Sequence, residues 1–174
     1  MTIICAYSDG ESTWLGSDQL LTRGEQRTLL KGGKWAIHPS GWAAAMAGDE
    51  LLSGILRTRI DDFCYNTDDP WLFLKRYRDL LPEYGVEMKR DSAGLPDLPG
   101  MLLARGGKLW EIDRAFSVVR WDTHRLLADG AAWQYAYGSS FGMEAEPVQI
   151  VRRAVMTANH FCQNTCEGLW LGKV

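Results

Sequence analysis

The sequence predicts an α+β protein in which helices stack on antiparallel sheets. Apolar runs of strand length fill the first 48 residues, two helical repeats follow, strands return near residue 101, and one long helix comes last. Strands and helices that occur in separate blocks like these are typical of layered α+β proteins. At 174 residues the chain is long enough to bury its own core, and we expect a single domain over residues 1–174.

Composition and charge narrow the class of protein. The net charge is −3 and no basic run occurs, which disfavours nucleic acid and anionic membranes as partners. No stretch approaches the ~20 apolar residues of a membrane span, and the N-terminus lacks the pattern of a signal peptide. Four scattered cysteines do not form a disulfide framework, so we expect a cytoplasmic protein.

The N-terminal region is predicted to consist of short strands and turns. Ile3–Tyr7 is continuously apolar, as a strand buried on both faces would be, and Asp9-Gly10 is a good hairpin turn. A more polar stretch follows, with a turn near residues 23–25. The further strands predicted in this region are Thr13–Ser17, Lys34–Ile37 and Trp42–Ala47.

Helices are predicted where the apolar spacing changes. Asp49 is suited to cap a first helix, whose apolar residues repeat at helical spacing to Phe63. Pro70 and Pro147 are each suited to the first turn of a further helix. Residues 86–100 read as an irregular loop. The remaining predicted strands are Met101–Ala104, Leu109–Ile112, Phe116–Trp121, Ala131–Tyr137 and an edge strand within Gly168–Val174.

Thr2 is the first candidate for chemistry. If Met1 is removed, Thr2 carries both a hydroxyl group and a free amine. A threonine hydroxyl is a weak nucleophile that needs a base, and the amine of the same residue can act as that base.

Four positions give the chain a family resemblance. Thr2, Asp18, Lys34 and Gly48 are separated by 16, 16 and 14 residues, and each of the last three stands at a predicted strand end. In residue type and spacing this region resembles the start of a proteasome β subunit or of the bacterial HslV peptidase. These proteins are N-terminal-nucleophile hydrolases, and the resemblance implies a four-layer αββα fold and threonine peptidase activity.

The resemblance also implies a role for each residue. The Thr2 hydroxyl oxygen would attack a peptide carbonyl while the Thr2 amine relays the proton. Lys34 would favour the neutral amine through its positive charge, and Asp18 would pair with Lys34. The Gly48 N–H would face the developing oxyanion, where one such donor contributes ~3 kcal/mol.

A second match lies downstream, together with departures from the family pattern. Gly138-Ser139-Ser140, after the predicted strand Ala131–Tyr137, resembles the family's Gly-Ser-Gly motif, whose serine supports the amine; Ser139 is the equivalent residue. Few residues separate Ser140 from Pro147, so the family's third helix is expected to be reduced to a turn. Cys162 and Thr165 stand where the family carries an Asp and a Ser.

Simpler interpretations remain open. Asp18 and Lys34 could form a plain ion pair at a sheet edge. Cys162, Cys166 and His160 have a spacing that suggests a metal, but buried thiols are favoured because no second ligand pair exists, and no cofactor is predicted. The chain could also be a non-catalytic scaffold subunit or an amidase for a small molecule. As partners the resemblance implies peptide or unfolded protein, further copies in a homo-oligomeric ring, and an ATP-dependent unfoldase or other regulator.

Overall fold

The computed structural model describes residues 2–23, 25–64, 67–87, 90, 92–94, 99–162 and 167–174. Met1, Thr165 and Cys166 lie outside the described residues. The strands are β1 (Ile3–Ser8), β2 (Thr13–Ser17), β3 (Leu20–Arg23), β4 (Gln26–Leu29), β5 (Ala36–Ile37), β6 (Trp42–Met46), β7 (Met101–Arg105), β8 (Lys108–Ile112), β9 (Val118–Trp121), β10 (Leu126–Gly130) and β11 (Trp170–Lys173). The α-helices are α1 (Glu50–Thr58), α2 (Ile60–Cys64), α3 (Pro70–Leu80), α4 (Trp133–Ser140) and α5 (Pro147–Phe161).

These strands form two antiparallel sheets and a separate hairpin. The first sheet has the order β10-β1-β2-β11, and the second has the order β5-β6-β7-β8-β9. Strands β3 and β4 form the hairpin, with the turn where the sequence predicts one. The tail pairs with β2 at the edge of the first sheet, which confirms the predicted final edge strand.

The alternation of side chains along two central strands creates a four-layer arrangement. In β1, Ile3 and Cys5 pack in one apolar cluster with residues of α4 and α5, whereas Ile4 and Ala6 face the second sheet. In β6, Trp42 packs in the cluster formed with α1, α2 and α3, and Ala43 faces the first sheet. Both strands are therefore buried on both faces, which explains their continuous apolar sequences and confirms the predicted α+β, αββα class.

The helix starts agree with their capping residues. The Asp49 side chain accepts a hydrogen bond from the Leu52 N–H at 2.9 Å, and Asp69 accepts one from the Trp71 N–H at 2.9 Å. Pro70 and Pro147 occupy the first turns of α3 and α5 as predicted. The first predicted helix is divided at Arg59 into α1 and α2.

Two predictions for residues 131–147 are wrong, and one predicted strand is shorter than expected. Ala131–Tyr137 is not a strand, because residues 133–140 form α4, in which Ala132 and Ala136 are buried four residues apart and pack with α5. The expectation that the third helix is reduced to a turn is wrong for the same reason. The strand predicted at Phe116–Trp121 is observed as β9, but it starts at Val118, because the φ of 64° at Phe116 places that residue in the preceding turn. The strand that precedes α4 is β10, which was not predicted.

Candidate active site

Asp18 and Lys34 form a buried ion pair between the two sheets. Asp18 follows β2 and is 0% exposed, and Lys34 precedes β5 and is 5% exposed. The Lys34 ammonium lies 2.8 Å from both carboxylate oxygens of Asp18. The Lys34 backbone N–H also donates to the Ser17 hydroxyl at 3.0 Å, which fixes the start of the lysine relative to β2. A pair this deeply buried differs from the exposed sheet-edge pair that the simpler interpretation requires.

The carboxylate of Asp18 is held by more than the lysine. It accepts hydrogen bonds from the backbone N–H groups of Ile3 at 2.9 Å and Leu20 at 3.1 Å. Burial raises the pKa of Asp18, while the Lys34 ammonium and the two backbone donors oppose that shift. Donors reach both oxygens of this carboxylate, which ties the start of β1 to the end of β2.

The same lysine reaches the side chain of Thr2. The distance from the Lys34 ammonium nitrogen to the Thr2 Oγ1 is 2.6 Å, so the hydroxyl oxygen accepts a charge-assisted hydrogen bond. The Thr2 carbonyl oxygen accepts a hydrogen bond from the Ala131 N–H at 3.0 Å, which continues the pairing of β1 with β10 by one residue. A positive charge at this oxygen stabilises an alkoxide, the form in which threonine is nucleophilic.

Thr2 lies at the junction of two cavities. The larger has a volume of about 1000 Å³ and is lined by residues that include Gly48, Gly100, Glu111, Arg114 and Asp129. The smaller has a volume of about 90 Å³ and lies between the β3–β4 hairpin and α1. Its lining includes Thr2, Leu20, Thr22, Lys34, Met46, Gly48 and Ser53.

Gly48 lies beside Thr2. It lines both cavities beside Thr2, directly after β6 and Ala47. Its φ of 107° lies in the region that side chains rarely adopt, so this conformation favours glycine. A Cβ at Gly48 would come no closer than 3.9 Å to the nearest atom, that of Pro99, so the backbone conformation rather than crowding selects glycine.

Ser139 is not brought to this site. The residues that line the two cavities at Thr2, among those described, do not include it. Its hydroxyl group donates to the Ala136 carbonyl at 2.9 Å within α4, as Ser140 does at 3.1 Å. The motif was placed on the wrong element, because the strand it should follow is β10 and not Ala131–Tyr137.

Cys162 also lies apart from Thr2. It caps the C-terminal end of α5 and packs, partly buried, against the apolar cluster beneath α4 and α5. Within the described part of the chain, no group of three or more His, Cys, Asp or Glu side chains is arranged to hold a metal ion. Among the described residues, none of the helices combines the length and the hydrophobicity that crossing a membrane requires.

Asp129 is the residue at the site that sequence reasoning missed. It is the penultimate residue of β10 and lines the larger cavity together with Thr2. Asp129-Gly130 thus ends the strand before α4, whereas the resemblance led us to look for a serine directly after a strand. The available signal was the short apolar run Leu126–Ala128 ending in Asp-Gly, which we did not assign to any element.

Comparisons with known proteins match the fold but not the sequence. No family model and no curated protein matches the chain. Thiobacillus denitrificans BPH, solved alone and in complex with epoxomicin, matches in both structures with a TM-score of 0.73 and 15% identity over 100% of this chain. These matches cover 97–98% of the BPH chains. Eukaryotic HslV from Trypanosoma brucei matches with a TM-score of 0.66 and 17% identity, over 99% of this chain and 98% of that one.

This chain has the HslV fold. The resemblance drawn from the first 48 residues is thereby confirmed at the level of the fold, across nearly the whole length of both proteins. In the HslV fold of this chain, the end of β2, the start of β5 and the end of β6 all converge on Thr2. Asp18, Lys34 and Gly48 stand at these strand ends, which explains why residues far apart in the sequence meet at Thr2.

Gly130 provides a test of how tightly Thr2 is held by β10. A Cβ added at Gly130 would overlap the Thr2 carbonyl, and its φ of 108° disfavours alanine in any case. Gly142 also has a positive φ, 68°, but an added Cβ would meet nothing within 4 Å. We expect Gly142→Ala to lower the free energy of unfolding by about 1–2 kcal/mol through the backbone alone.

Gly130→Ala should lower the free energy of unfolding by about 1–3 kcal/mol more than Gly142→Ala, since the overlap adds to the backbone term. Urea unfolding of the two variants and the parent protein measures the difference. Equal losses in the two variants would show that β10 does not hold Thr2 closely.

Proposed function

We propose that this protein is an N-terminal threonine peptidase, in which removal of Met1 exposes Thr2 as the nucleophile. One observation carries the proposal: the Lys34 ammonium, itself held by Asp18, lies 2.6 Å from the Thr2 hydroxyl oxygen. A lysine buried between two sheets only to stabilise the fold needs its carboxylate partner. It does not need a threonine hydroxyl at the mouth of a cavity.

The proposed reaction starts after hydrolysis of the Met1–Thr2 peptide bond. The Thr2 Oγ1 attacks the carbonyl carbon of a peptide, and its proton passes to the neutral Thr2 amine. Lys34 stabilises the negative charge on Oγ1 before the attack, and the Gly48 N–H stabilises the charge on the carbonyl oxygen after it. The protonated amine then gives its proton to the departing peptide amine, which leaves an ester between Oγ1 and the acyl part of the substrate.

Water completes the cycle. It attacks the ester carbonyl and gives a proton to the Thr2 amine, and the second product leaves as a carboxylic acid while Oγ1 recovers its proton. The larger cavity, at about 1000 Å³, has room for several residues of an extended peptide beside Thr2. The smaller one, at about 90 Å³, is of a size for a single side chain.

Intact mass and labelling with epoxomicin test the proposal together. Epoxomicin is the ligand in the BPH complex, and BPH shares the fold of this chain. We expect the purified protein to lack Met1 and to gain the mass of one epoxomicin molecule per chain, on the N-terminal peptide. A protein that has lost Met1 but gains no mass, and cleaves no peptide, would contradict the proposal and favour the scaffold interpretation.

Two further outcomes separate the remaining alternatives. Retention of Met1 would leave Thr2 with an amide in place of the base, and would also favour a scaffold. Turnover of small amides without cleavage of peptides would favour the amidase.

The predicted self-association is supported by exposed aromatic side chains on α4 and α5. Tyr135 and Phe161 stack at the surface with their ring centroids 5.0 Å apart, and exposed apolar side chains of this kind are typical of protein–protein contacts. Assembly into a ring and control by an ATP-dependent unfoldase remain part of the proposal.

A further inference from the structure

The segment that carries Lys34 packs against the C-terminal strand β11. The indole of Trp170 lies on Gly33, the residue before the lysine: a Cβ added at Gly33 would come within 2.5 Å of the Trp170 Cγ and 2.6 Å of its Cδ2. Gly33 also has a φ of 69°, a backbone conformation that favours glycine. Both the contact and the conformation therefore require glycine at the position that precedes Lys34.

A second glycine makes room for the indole on β11. Residues two apart in a strand face the same side, so Trp170 and Gly172 lie on one face of the first sheet. A Cβ added at Gly172 would overlap the Trp170 Cη2. One end of the ring therefore lies over Gly172, while the other end contacts Gly33. The indole fills the space between its own strand and the segment that carries the lysine.

The neighbouring strand β2 holds the same segment by hydrogen bonds. Trp170 is directly opposite Ser17 in the pairing of β11 with β2, and the Ser17 hydroxyl accepts the Lys34 N–H at 3.0 Å. The Trp35 indole N–H donates to the Gly16 carbonyl at 3.0 Å. The lysine and the residues on either side of it are thus each in contact with β2 or β11.

From these contacts we infer that Trp170 is a positioning residue, which holds Gly33 in place and thereby keeps the Lys34 ammonium in reach of Thr2. The inference rests on the proposed function, which gives the 2.6 Å contact with Oγ1 its chemical role. A lysine ammonium is carried on a flexible four-carbon stem, so its reach depends on where its backbone is fixed. The described lining of the two cavities at Thr2 does not include Trp170, so its effect passes through the lysine.

The test observes Lys34 itself and does not rely on activity. The full chain is labelled with ¹⁵N-lysine, and the Lys34 ammonium signal is assigned by NMR from its loss in Lys34→Met. Trp170→Leu leaves part of the space beside Gly33 empty. We expect it to shift the signal and to make exchange of the ammonium protons with water at least about tenfold faster, because the buried pair opens more often. Epoxomicin labelling of Thr2 should slow by at least about tenfold, since small displacements of a reacting group lower rates steeply.

Leu171→Ala is the matched control in the same strand. Leu171 is the neighbour of Trp170, but it packs with the cluster beneath α4 and α5, whereas Trp170 packs between the two sheets. The control loosens β11 without uncovering Gly33, so the Lys34 signal and its exchange rate should stay as in the parent protein. Trp170→Phe keeps an aromatic ring against Gly33 and should retain most of both properties.

Gly33→Ala tests the same contact from the other side, and it replaces Trp170→Leu if that variant does not fold. The added Cβ forces the backbone and the indole apart, so the Lys34 signal should change in the same way. Its control is Gly41→Ala. Gly41 also has a positive φ, 89°, but an added Cβ would meet nothing within 4 Å, and the Lys34 signal should not change.

An unchanged Lys34 signal and exchange rate in the folded Trp170→Leu or Gly33→Ala protein would overturn the inference. Equal changes in Trp170→Leu and Leu171→Ala would also overturn it, because they would show a general loosening of β11. A changed signal in a protein whose parent does not react with epoxomicin would support the role of Trp170 and contradict the peptidase proposal. A parent that reacts, with Lys34 unaffected in the variants, would do the reverse.

Discussion

Replacing Thr2 with alanine is expected to abolish peptide cleavage, with a loss in kcat of at least about 10⁴-fold, as removal of a catalytic nucleophile does elsewhere. The change removes the Thr2 oxygen that the Lys34 ammonium contacts at 2.6 Å, but leaves the Asp18–Lys34 pair intact. The free energy of unfolding should therefore change little. Initial rates on a fluorogenic peptide, together with urea unfolding, separate loss of chemistry from loss of fold.

Thr2→Ser is the matched control for this variant. Serine keeps both the hydroxyl group and, after loss of Met1, the amine, so we expect it to retain cleavage and to react with epoxomicin. The N-terminal mass of each variant must show the same loss of Met1 before rates are compared. Cleavage by Thr2→Ala at the parent rate would place the nucleophile elsewhere, and a Thr2→Ser variant as inactive as Thr2→Ala would leave the hydroxyl without a role.

Replacing Lys34 with methionine is expected to affect both the chemistry and the fold. Methionine fills a similar volume but leaves the Asp18 carboxylate, which is 0% exposed, without its cation. An uncompensated buried charge lowers the free energy of unfolding by about 3–5 kcal/mol. We expect a loss of this size in urea unfolding, together with loss of epoxomicin labelling at Thr2, because the positive charge at Oγ1 is gone.

The matched control is Lys75→Met, which breaks an ion pair of the same kind at the surface. Lys75 and Asp79 are 3.0 Å apart, but their side chains are 63% and 49% exposed. Breaking such a pair changes the free energy of unfolding by about 1 kcal/mol or less. The double variant Asp18→Asn/Lys34→Met should recover part of the stability but none of the labelling. A Lys34→Met protein as stable as Lys75→Met would mean that Asp18 is not held as a buried charge.

The part of the fold that could be predicted from the sequence is the part governed by local patterns. β2 is observed where Thr13–Ser17 was predicted, and the capping residues Asp49 and Asp69 begin α1 and α3. These elements carry their signals within a few residues: a turn, a cap, or a continuous apolar run. The catalytic roles of Thr2, Asp18, Lys34 and Gly48 stay predictions, although the side chains of the first three form one contact network and Gly48 lines the cavity beside it.

The region from residue 122 to 140 shows where local patterns were insufficient. β10 has only three apolar residues in a row, and its hydrogen-bond partner β1 is distant in the sequence: Gly130 is opposite Ile3. At the free edge of β10, the Ala128 N–H donates to the Tyr137 hydroxyl at 3.1 Å, a contact that requires α4 to be a helix already packed on the sheet. Without these partners, Ala131–Tyr137 has the aromatic content of a strand, which led to the wrong assignment.

The sequence by itself determined the fold class, the order of most elements, and the residues that stand at strand ends around Thr2. Strand alternation and strand length are local properties, so a threonine, an aspartate, a lysine and a glycine separated by 16, 16 and 14 residues could be assigned to strand ends from the sequence. Only the tertiary structure decided what flanks Thr2 on its other side. The pairing of β1 with β10 brings Asp129, and not Ser139, to the cavity that Thr2 lines, and no turn joins these two strands that could have indicated their register in the sequence.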